Sequence, residues 1–392
     1  MKTPTALLFL SIFSVSTAWS QSAKQGPLPD VPDISVPGTR IAETEFAFKF
    51  NFQNRYNGFG IRNSPNLPEA PAEFDDKGRP KFLDGAEGLA FLQSLAGQLL
   101  HSKQYDDLDR LFEDARDPNA LTASGTWKLR AIYRGTLPDF DAKTDPSALL
   151  AERLKWKEHS PRSAEAALSE VDYWYGYAWY ARGSGYANTV TEDGWRLMRE
   201  RLLTAHDRLI KSAAVASASP EFYRLHIDLG GAMGAPKDRI LDAFREAVKK
   251  FPTYYVLYSV TARSLMPKWG GSWEMLDDFA KEAIELSRKT EGASFYARIY
   301  MTIAGEQREY TDIFRDTRAS WPLVKQGFED MQARYPYSAA NRNSEASFAC
   351  RADDKSAYIA ARLRMGNKIE SNVWIGAYSL DLCDHKFPPA PI

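Results

Sequence analysis

Hydrophobic residues recur at helical spacing through most of the chain. The pattern is clearest in GLAFLQSLAGQLLHSKQYDDLDRLFEDA, residues 88 to 115. Apolar positions three and four residues apart predict two successive amphipathic helices, because such residues share one helix face. These positions are Leu92, Leu95, Ala96 and Leu99 in the first helix, and Tyr105, Leu108, Phe112 and Ala115 in the second.

The spacing is that of a tetratricopeptide repeat, in which two antiparallel helices pack through small and large side chains. Here Ala96 is the small residue that lets the backbones approach, and Phe112 fills the space toward the next pair. The same repeat pattern recurs at Phe244, Ala247 and Pro252, which follow F-x-x-A-x-x-x-x-P, the usual end of such a repeat. Unequal intervals between these features predict repeats with insertions.

The predicted fold is therefore all-α: a tetratricopeptide-like α-solenoid of antiparallel helix pairs over residues 83 to 366, followed by a C-terminal cap over 367 to 392. Proline is tolerated in the first turn of a helix, so four prolines are expected to open first helices. They are Pro161, Pro220, Pro252 and Pro336. A short strand is a further expectation at NVWIGAYSL, residues 372 to 380.

Residues 21 to 82 predict an irregular, proline-rich N-terminal arm. Within it, residues 44 to 52 alternate strictly: Phe46, Phe48, Phe50 and Phe52 point to one side of a predicted strand. A lone strand is not stable in water. It must pack on the helical body, pair with a second strand near residues 59 to 61, or pair with a partner chain.

The first twenty residues predict a secretory signal peptide. Lys2 supplies the positive start, and an apolar run of about ten residues from Ala6 to Val15 is too short to span a bilayer. Small residues at 18 and 20 fit cleavage between Ser20 and Gln21. No later segment is long and apolar enough for a membrane span. The mature protein is expected in a periplasm or outside the cell.

Charge and cysteine content narrow the possibilities further. Fifty Lys and Arg residues against 51 Asp and Glu residues give a formal net charge of -1, which argues against a nucleic-acid partner. The two cysteines, Cys350 and Cys383, predict a disulfide in an exported chain. That bond would stabilise the C-terminal cap by roughly 3–4 kcal/mol. The alternative is two independent buried thiols; a metal site is a weaker option, since Asp384 and His385 are the only nearby ligands.

The stretch PKWGGSWEMLDDFAKEA, residues 267 to 283, interrupts the helical pattern. Pro267 ends one helix, Gly270 and Gly271 are free to take positive φ, and Ser272 is placed to cap the next helix. Trp269 is expected to clamp the turn together with Trp273. A tight structural corner and a ligand-binding loop both fit this pattern.

This stretch, together with YAWYARGSGYANTV at residues 177 to 190 and SFACRADD at residues 347 to 354, resembles a bacterial tetratricopeptide-like family catalogued only as a domain of unknown function. The resemblance covers roughly residues 85 to 365, and the tryptophan-glycine-glycine-serine corner is its most specific part. It implies an exported bacterial helical-repeat protein, and it carries no established activity.

No catalytic motif stands out. None of the five histidines forms H-x-x-x-H, neither cysteine lies in C-x-x-C, and no G-x-S-x-G elbow occurs. His226 and Asp228 are two residues apart and do not share a helix face. Glu170 and Asp172, beside a run of aromatic residues, are the candidates for paired acids of a glycosidase-like enzyme. No cofactor and no metal site are predicted.

VDYWYGYAWYARGSGYANTV, residues 171 to 190, is the best candidate for a binding surface, because aromatic residues occupy more than one helix face. An arginine beside aromatic rings suits a carboxylate, a peptide C-terminus or a sugar. The predicted binding residues are Tyr173, Tyr177, Trp179, Arg182 and Trp269.

Two functions follow from these features. The first is a non-enzymatic module that binds a protein or peptide segment, or an envelope glycan, in a solenoid groove. The second is an envelope hydrolase acting on a glycan or peptide. A third interpretation makes the residue 44 to 52 strand the docking element, adding to the sheet edge of another protein.

Overall fold

The computed structural model describes residues 84–306, 312–374 and 378–388, and these residues confirm the all-α fold. Their helices are α1 (Gly85–His101), α2 (Tyr105–Ala115), α3 (Lys128–Gly135), α4 (Pro146–His159), α5 (Ala164–Arg182), α6 (Glu192–Ala216), α7 (Pro220–Ala232), α8 (Lys237–Lys250), α9 (Val256–Ser264), α10 (Trp273–Glu291), α11 (Ser294–Glu306), α12 (Ile313–Asp316), α13 (Trp321–Arg334), α14 (Ala339–Arg351), α15 (Lys355–Met365) and α16 (Leu380–Lys386). The predicted signal peptide and the strand at 44 to 52 lie outside the described residues.

The helices form two layers, as expected for a helical-repeat array. Helices α5, α7, α9 and α11 pack side by side, each against the next. Helices α6, α8 and α10 alternate with these helices along the chain, α13 follows α11, and each of the four packs against helices of the first set. Every apolar position predicted between residues 92 and 115 is buried. The repeat pattern in the sequence is therefore the pattern of core contacts.

The closest backbone approach at the start of the array lies between α1 and α3. A Cβ added at Gly135 would come 2.1 Å from the backbone oxygen of Gln93, and one added at Gly97 would come 2.9 Å from the oxygen of Gly135. Ala96, which was expected to allow a close approach, is fully buried beside this crossing. The absence of side chains at the two glycines is what lets the helices touch.

Residues from the two ends of the described array meet. The carboxylate of Asp84, before α1, accepts a hydrogen bond from the Ser338 hydroxyl at 2.9 Å and from the Ala340 amide at 3.1 Å, both at the start of α14. The carbonyl of Ser124, in the loop between α2 and α3, accepts from Asn341 of α14 at 3.4 Å. The loop between α2 and α3 thus bridges the first and last repeats.

The prediction that four prolines open helices was wrong for three of them. Pro220 opens α7 as expected, but Pro161, Pro252 and Pro336 lie in the turns before α5, α9 and α14. At α5 and α14 the helix begins only after its capping serine, whose hydroxyl accepts from a backbone amide three residues later.

The strand expected at residues 372 to 380 does not form in the described part of that segment, which contains a 3-10 turn (Ser371–Val373) and the start of α16. The Trp374 indole donates to the side-chain oxygen of Asn343 at 2.9 Å, which holds the segment against α14. The described segment has no neighbouring strand to pair with.

Cys350 of α14 and Cys383 of α16 form a disulfide, 33 residues apart in the chain. Both sulfurs lie in a small hydrophobic cluster formed by α14, α15 and α16, which is separate from the main core. The bond fits an oxidising compartment. The division into a repeat domain ending at 366 and a cap from 367 stays a prediction.

Candidate functional site

The tryptophan-glycine corner joins α9 to α10 as a tight turn. Gly270 has φ of 79°, in the left-handed region, and the Ser272 hydroxyl accepts from the Met275 amide at 3.1 Å to cap α10. Gly271 keeps an ordinary φ, but a Cβ there would lie 1.9 Å from the carbonyl oxygen of Leu265. The two glycines have different roles: one supplies a turn conformation and the other permits backbone contact.

The aromatic helix α5 presents its rings to two different surroundings. Tyr173 and Tyr177 face the loop before α4, where Phe140 stacks on Tyr177 with ring centroids 5.2 Å apart. The guanidinium of Arg201, from α6, covers the Tyr177 ring at 3.3 Å from its centroid. These two predicted binding residues therefore pack between helices, on a side of α5 that does not line the pocket described below.

Trp179 and Trp269 meet although ninety residues separate them. Their ring centroids are 6.0 Å apart with planes at 84°, an edge-to-face pair, and Trp269 remains 43% exposed. The two tryptophans that flank the turn pack on different partners: Trp273 packs against the core, and Trp269 packs on Trp179. The corner and the aromatic helix thus contribute to one surface, which neither stretch reveals alone.

Arg182 lies at the end of α5, beside this pair. Its guanidinium is 5.8 Å from the Trp179 ring and 5.5 Å from the Trp195 ring. One of its terminal nitrogens donates to the carbonyls of Gly183 and Gly185, at 3.0 and 2.7 Å. The arginine shapes the loop that follows α5 and flanks Trp179.

A pocket of about 410 Å³ opens between α3, α5, α7 and α9, with Trp179 and Trp269 in its wall. Its size is in the range of small-ligand sites. Its apolar lining comes from Leu137, Pro138, Ile227, Ala232 and Val260. Its charged lining comes from Arg130, Asp172, Arg224, Asp228, Arg263 and Glu306.

The charged residues form a connected network centred on Arg224. Its guanidinium contacts Asp172 at 3.0 Å, Asp228 at 2.6 Å and the carboxylate of Glu221. Glu221 in turn accepts from Arg130 at 3.1 Å. Arg224 is 4% exposed and Glu221 is fully buried, so each charge depends on its partners for compensation.

The network sets the protonation of its acids. Burial raises the pKa of Asp172, and the attraction of Arg224 and the hydrogen bond from Tyr133 only partly offset it. Burial also acts to raise the pKa of Glu221, but the charges of Arg130 and Arg224 outweigh it and lower that pKa. Asp172 is therefore the acid that relies most on Arg224 to stay ionised.

Beyond the network, α9 and the corner add looser charges. Arg263 approaches Asp228 at 3.8 Å and Glu306 at 3.5 Å, and Lys268 approaches Glu306 at 3.4 Å. These distances exceed those of well-formed charge-assisted hydrogen bonds. The guanidinium of Arg263 therefore keeps donors available.

The acids proposed for a hydrolase do not converge. Glu170 binds Lys157 at 2.7 Å and Arg208 at 2.9 Å, on the side of α5 that faces α4 and α6. Asp172 lies in the pocket and binds Arg224. Residues two apart in a helix point in nearly opposite directions, which explains the separation.

The histidines also give no ligand set. Asp228, two residues from His226, is taken up in an ion pair with Arg224. In the described ranges no group of three or more His, Cys, Asp or Glu side chains is arranged to hold a metal ion. No helix among the described residues is long and apolar enough to cross a membrane.

The arginines of the pocket were not among the residues predicted from the sequence. A usable signal was present in α7, where Glu221, Arg224 and Asp228 occur at helical spacing within an otherwise apolar helix. Charges along a face that should be buried indicate an internal ion network or a site. Arg130 and Arg263 carried no comparable signal, because single arginines near helix ends are usually solvent-exposed.

The fold and the pocket define a helical-repeat protein with a charged and aromatic pocket on the layer formed by α5, α7 and α9. Residues 92–216 match the model of a family described as "Domain of unknown function (DUF4034)". The match runs from α1 to the end of α6 and includes the aromatic helix, whereas the tryptophan-glycine corner lies outside it. No curated protein matches this sequence.

Proposed function

We propose that this protein is a non-enzymatic binding module that takes up a peptide segment in the pocket between α3, α5, α7 and α9. The observation that carries the proposal is the convergence of Trp179 and Trp269, from distant stretches, on a pocket whose lining includes aliphatic side chains. Exposed aromatic residues beside a concave surface are typical of recognition sites in helical-repeat proteins.

The state of the acids favours binding over hydrolysis. Asp172 and Asp228 are held by Arg224, and Glu306 lies between Arg263 and Lys268. A general acid or base must be within reach of the substrate and able to exchange a proton. Carboxylates tied to guanidinium groups are better suited to positioning those groups.

Export is part of the proposal. Residues 1–20 are proposed as a cleaved signal peptide, cut between Ser20 and Gln21, in a bacterial protein that works in the periplasm or outside the cell. The Cys350–Cys383 disulfide supports such a compartment. Cleavage is tested by N-terminal sequencing of protein isolated from its native cell, and a mature chain that retains residues 1–20 would contradict export by this route.

The binding proposal is tested with a random heptapeptide library and the mature protein. Gly231 lines the pocket, and a Cβ there meets only the Ser264 side chain at 3.6 Å, so a Gly231→Phe variant adds a side chain with little backbone strain. Gly305→Phe is the matched control, because a Cβ at Gly305 has no neighbour within 4 Å and the residue does not line the pocket.

We expect the wild type and Gly305→Phe to retain the same peptides, and Gly231→Phe to lose them while keeping its helical circular dichroism. Trp269→Ala, which removes a half-exposed ring, is expected to weaken the same peptides. Retention of no peptide, or equal retention by Gly231→Phe, would refute the proposal. Cleavage of library peptides by the wild type would favour the hydrolase.

A further inference from the structure

The charges that line the pocket are balanced. The three guanidinium groups and three carboxylates of the lining belong to Arg130, Arg224, Arg263, Asp172, Asp228 and Glu306. Behind them, Glu221 accepts from Arg130 and Arg224. Lys268 approaches Glu306 at 3.4 Å, so the surroundings add one further charge of each sign. A pocket without surplus charge gives no net attraction to a charged ligand, whereas it suits a neutral ligand that carries both donors and acceptors.

The pair of Arg263 and Glu306 differs from the other charges of the lining. The Arg224 guanidinium is 4% exposed and holds Asp172 at 3.0 Å and Asp228 at 2.6 Å, so these groups satisfy one another. The side chains of Arg263 and Glu306 are 37% and 34% exposed, and their charged atoms approach only to 3.5 Å. Arg263 therefore keeps donors, and Glu306 keeps acceptors, for a ligand.

The main chain of a ligand has room to approach beside this pair. Gly231 of α7 lies opposite α9, where a Cβ added to it would meet the Ser264 side chain at 3.6 Å. Both residues line the pocket. A glycine permits close approach of another backbone. The Ser264 hydroxyl already donates to the carbonyl of Thr261 at 2.7 Å, which leaves Arg263 and Glu306 to bind the polar groups of that backbone.

We infer that Arg263 and Glu306 bind the main chain of an internal, uncharged segment of the peptide. The guanidinium donates to a peptide carbonyl, and the carboxylate accepts from a peptide amide. This inference rests on the proposed function. A peptide unit is neutral and has one donor and one acceptor, so it matches a pair that offers one group of each kind. An apolar side chain of the segment packs on the aliphatic lining formed by Leu137, Ile227 and Val260.

The balance of charge argues against a chain end in the pocket. A terminal carboxylate needs a surplus cation, and a terminal ammonium group needs a surplus acid. Each carboxylate of the lining has a cationic partner within 4 Å, and each guanidinium group of the lining has an acidic one. Recognition is therefore independent of the ends of the peptide.

The test uses heptapeptides that the full mature protein retains from a random library. Each sequence is made with free ends and with an acetylated N-terminus and an amidated C-terminus. Arg263→Met and Glu306→Ala remove the two binding groups one at a time. The fold should tolerate Arg263→Met, because Asp228 keeps Arg224 and Glu306 keeps Lys268. Circular dichroism checks that each variant keeps its helices.

Arg318→Met is the matched control. Arg318 forms an ion pair with Glu274 at 2.7 Å, is exposed, and does not line the pocket. A second set of peptides carries a methyl group on one backbone nitrogen at a time, which removes a single main-chain donor. Dissociation constants for all pairs of protein and peptide are measured by calorimetry.

We expect the capped and free forms of a peptide to bind the wild type within about twofold of each other. Arg263→Met should weaken binding about tenfold, as expected for the loss of a hydrogen bond to a charged group, and Arg318→Met should leave it unchanged. At one position, N-methylation should weaken binding to the wild type about tenfold. The same methyl group should have little effect on binding to Glu306→Ala, because the acceptor is already gone.

Three results would overturn this inference and leave the proposed function intact, provided that Gly231→Phe still abolishes binding. They are a free end that strengthens binding tenfold or more, Arg263→Met that binds as tightly as the wild type, and N-methylation effects that are equal in the wild type and Glu306→Ala. Retention of no peptide by the wild type would refute the proposed function and this inference together.

Discussion

Arg224→Met is the change that most directly tests the buried charge network in the lining of the pocket. The methionine keeps much of the apolar stem and removes the charge. The Glu221 carboxylate keeps its contacts with Arg130 at 3.1 Å and with the Tyr254 hydroxyl, so its negative charge stays compensated. Asp172 retains only the hydrogen bond from Tyr133 among its contacts in the network. The buried carboxyl of Asp172, 5% exposed, therefore carries the cost.

The magnitude follows from the protonation of Asp172. Burial already raises its pKa with Arg224 present, and removal of Arg224 raises it further. Removing one partner of a buried ion pair typically costs about 3–5 kcal/mol, and we expect a loss of stability of about that size for Arg224→Met at pH 7.

The stability of Arg224→Met should depend on pH in a defined direction. A carboxyl whose pKa is raised by folding binds its proton more tightly in the folded state, so its favourable contribution grows as pH falls. The stability deficit of Arg224→Met relative to the wild type should shrink as pH falls from 7 to 5, by at most about 1.4 kcal/mol per pH unit for the one proton that Asp172 takes up. The double variant Asp172→Asn, Arg224→Met should show no such recovery, because the titrating group is gone.

The assay is urea unfolding followed by tryptophan fluorescence and circular dichroism, at pH 5, 6 and 7. Arg199→Met, an exposed arginine on α6, is the control and should change stability by less than about 0.5 kcal/mol. A loss below about 1 kcal/mol for Arg224→Met at pH 7, or a deficit that stays constant with pH, would show that the network does not stabilise the fold as argued.

Three further outcomes are expected. Gly271→Ala should lower the free energy of unfolding by at least about 2 kcal/mol, because its Cβ would collide with the carbonyl of Leu265; a loss under about 0.5 kcal/mol in urea unfolding would contradict this. Replacing Cys350 and Cys383 by alanine should lower the free energy of unfolding by roughly 4 kcal/mol, for a loop of 33 residues, and should speed hydrogen exchange in α16. Unchanged exchange in α16 would show that the disulfide does not anchor this helix. Burial, and to a lesser extent the charge of His206, lowers the pKa of His226 to about 4, so between pH 6.5 and 4 only the unfolded state takes up this proton. The free energy of unfolding of the wild type should therefore fall by about 2 kcal/mol from pH 8 to 5 relative to His226→Gln. Parallel pH profiles for the two proteins would refute this prediction.

Local features were predictable because their causes are local. The apolar positions between residues 92 and 115 repeat with the period of a helix, and they are buried as that period requires. Ser272 caps α10 because a serine followed by helix-forming residues satisfies a free amide in any context. The turn at Gly270 has the positive φ that glycine tolerates.

The incorrect predictions have a common cause: they depend on how the helices pack against one another. Glu170 and Asp172 are only two residues apart in sequence, yet Glu170 faces α4 and α6 and Asp172 faces the pocket. Tyr177, expected at a binding surface, stacks between Phe140 and Arg201. Aromatic residues occupy several faces of α5 over residues 173–182, so hydrophobic periodicity there does not indicate which face its neighbours cover.

By itself, the sequence determined that this chain builds helices, that α7 begins at Pro220 and α10 after Ser272, and that two cysteines are available for a bond. Only the tertiary structure decided that Trp179 meets Trp269 and that arginines of α3 and α9 share one pocket. The reason is physical: helix formation and capping act over a few residues, whereas the superhelical path of the array sets which distant side chains meet.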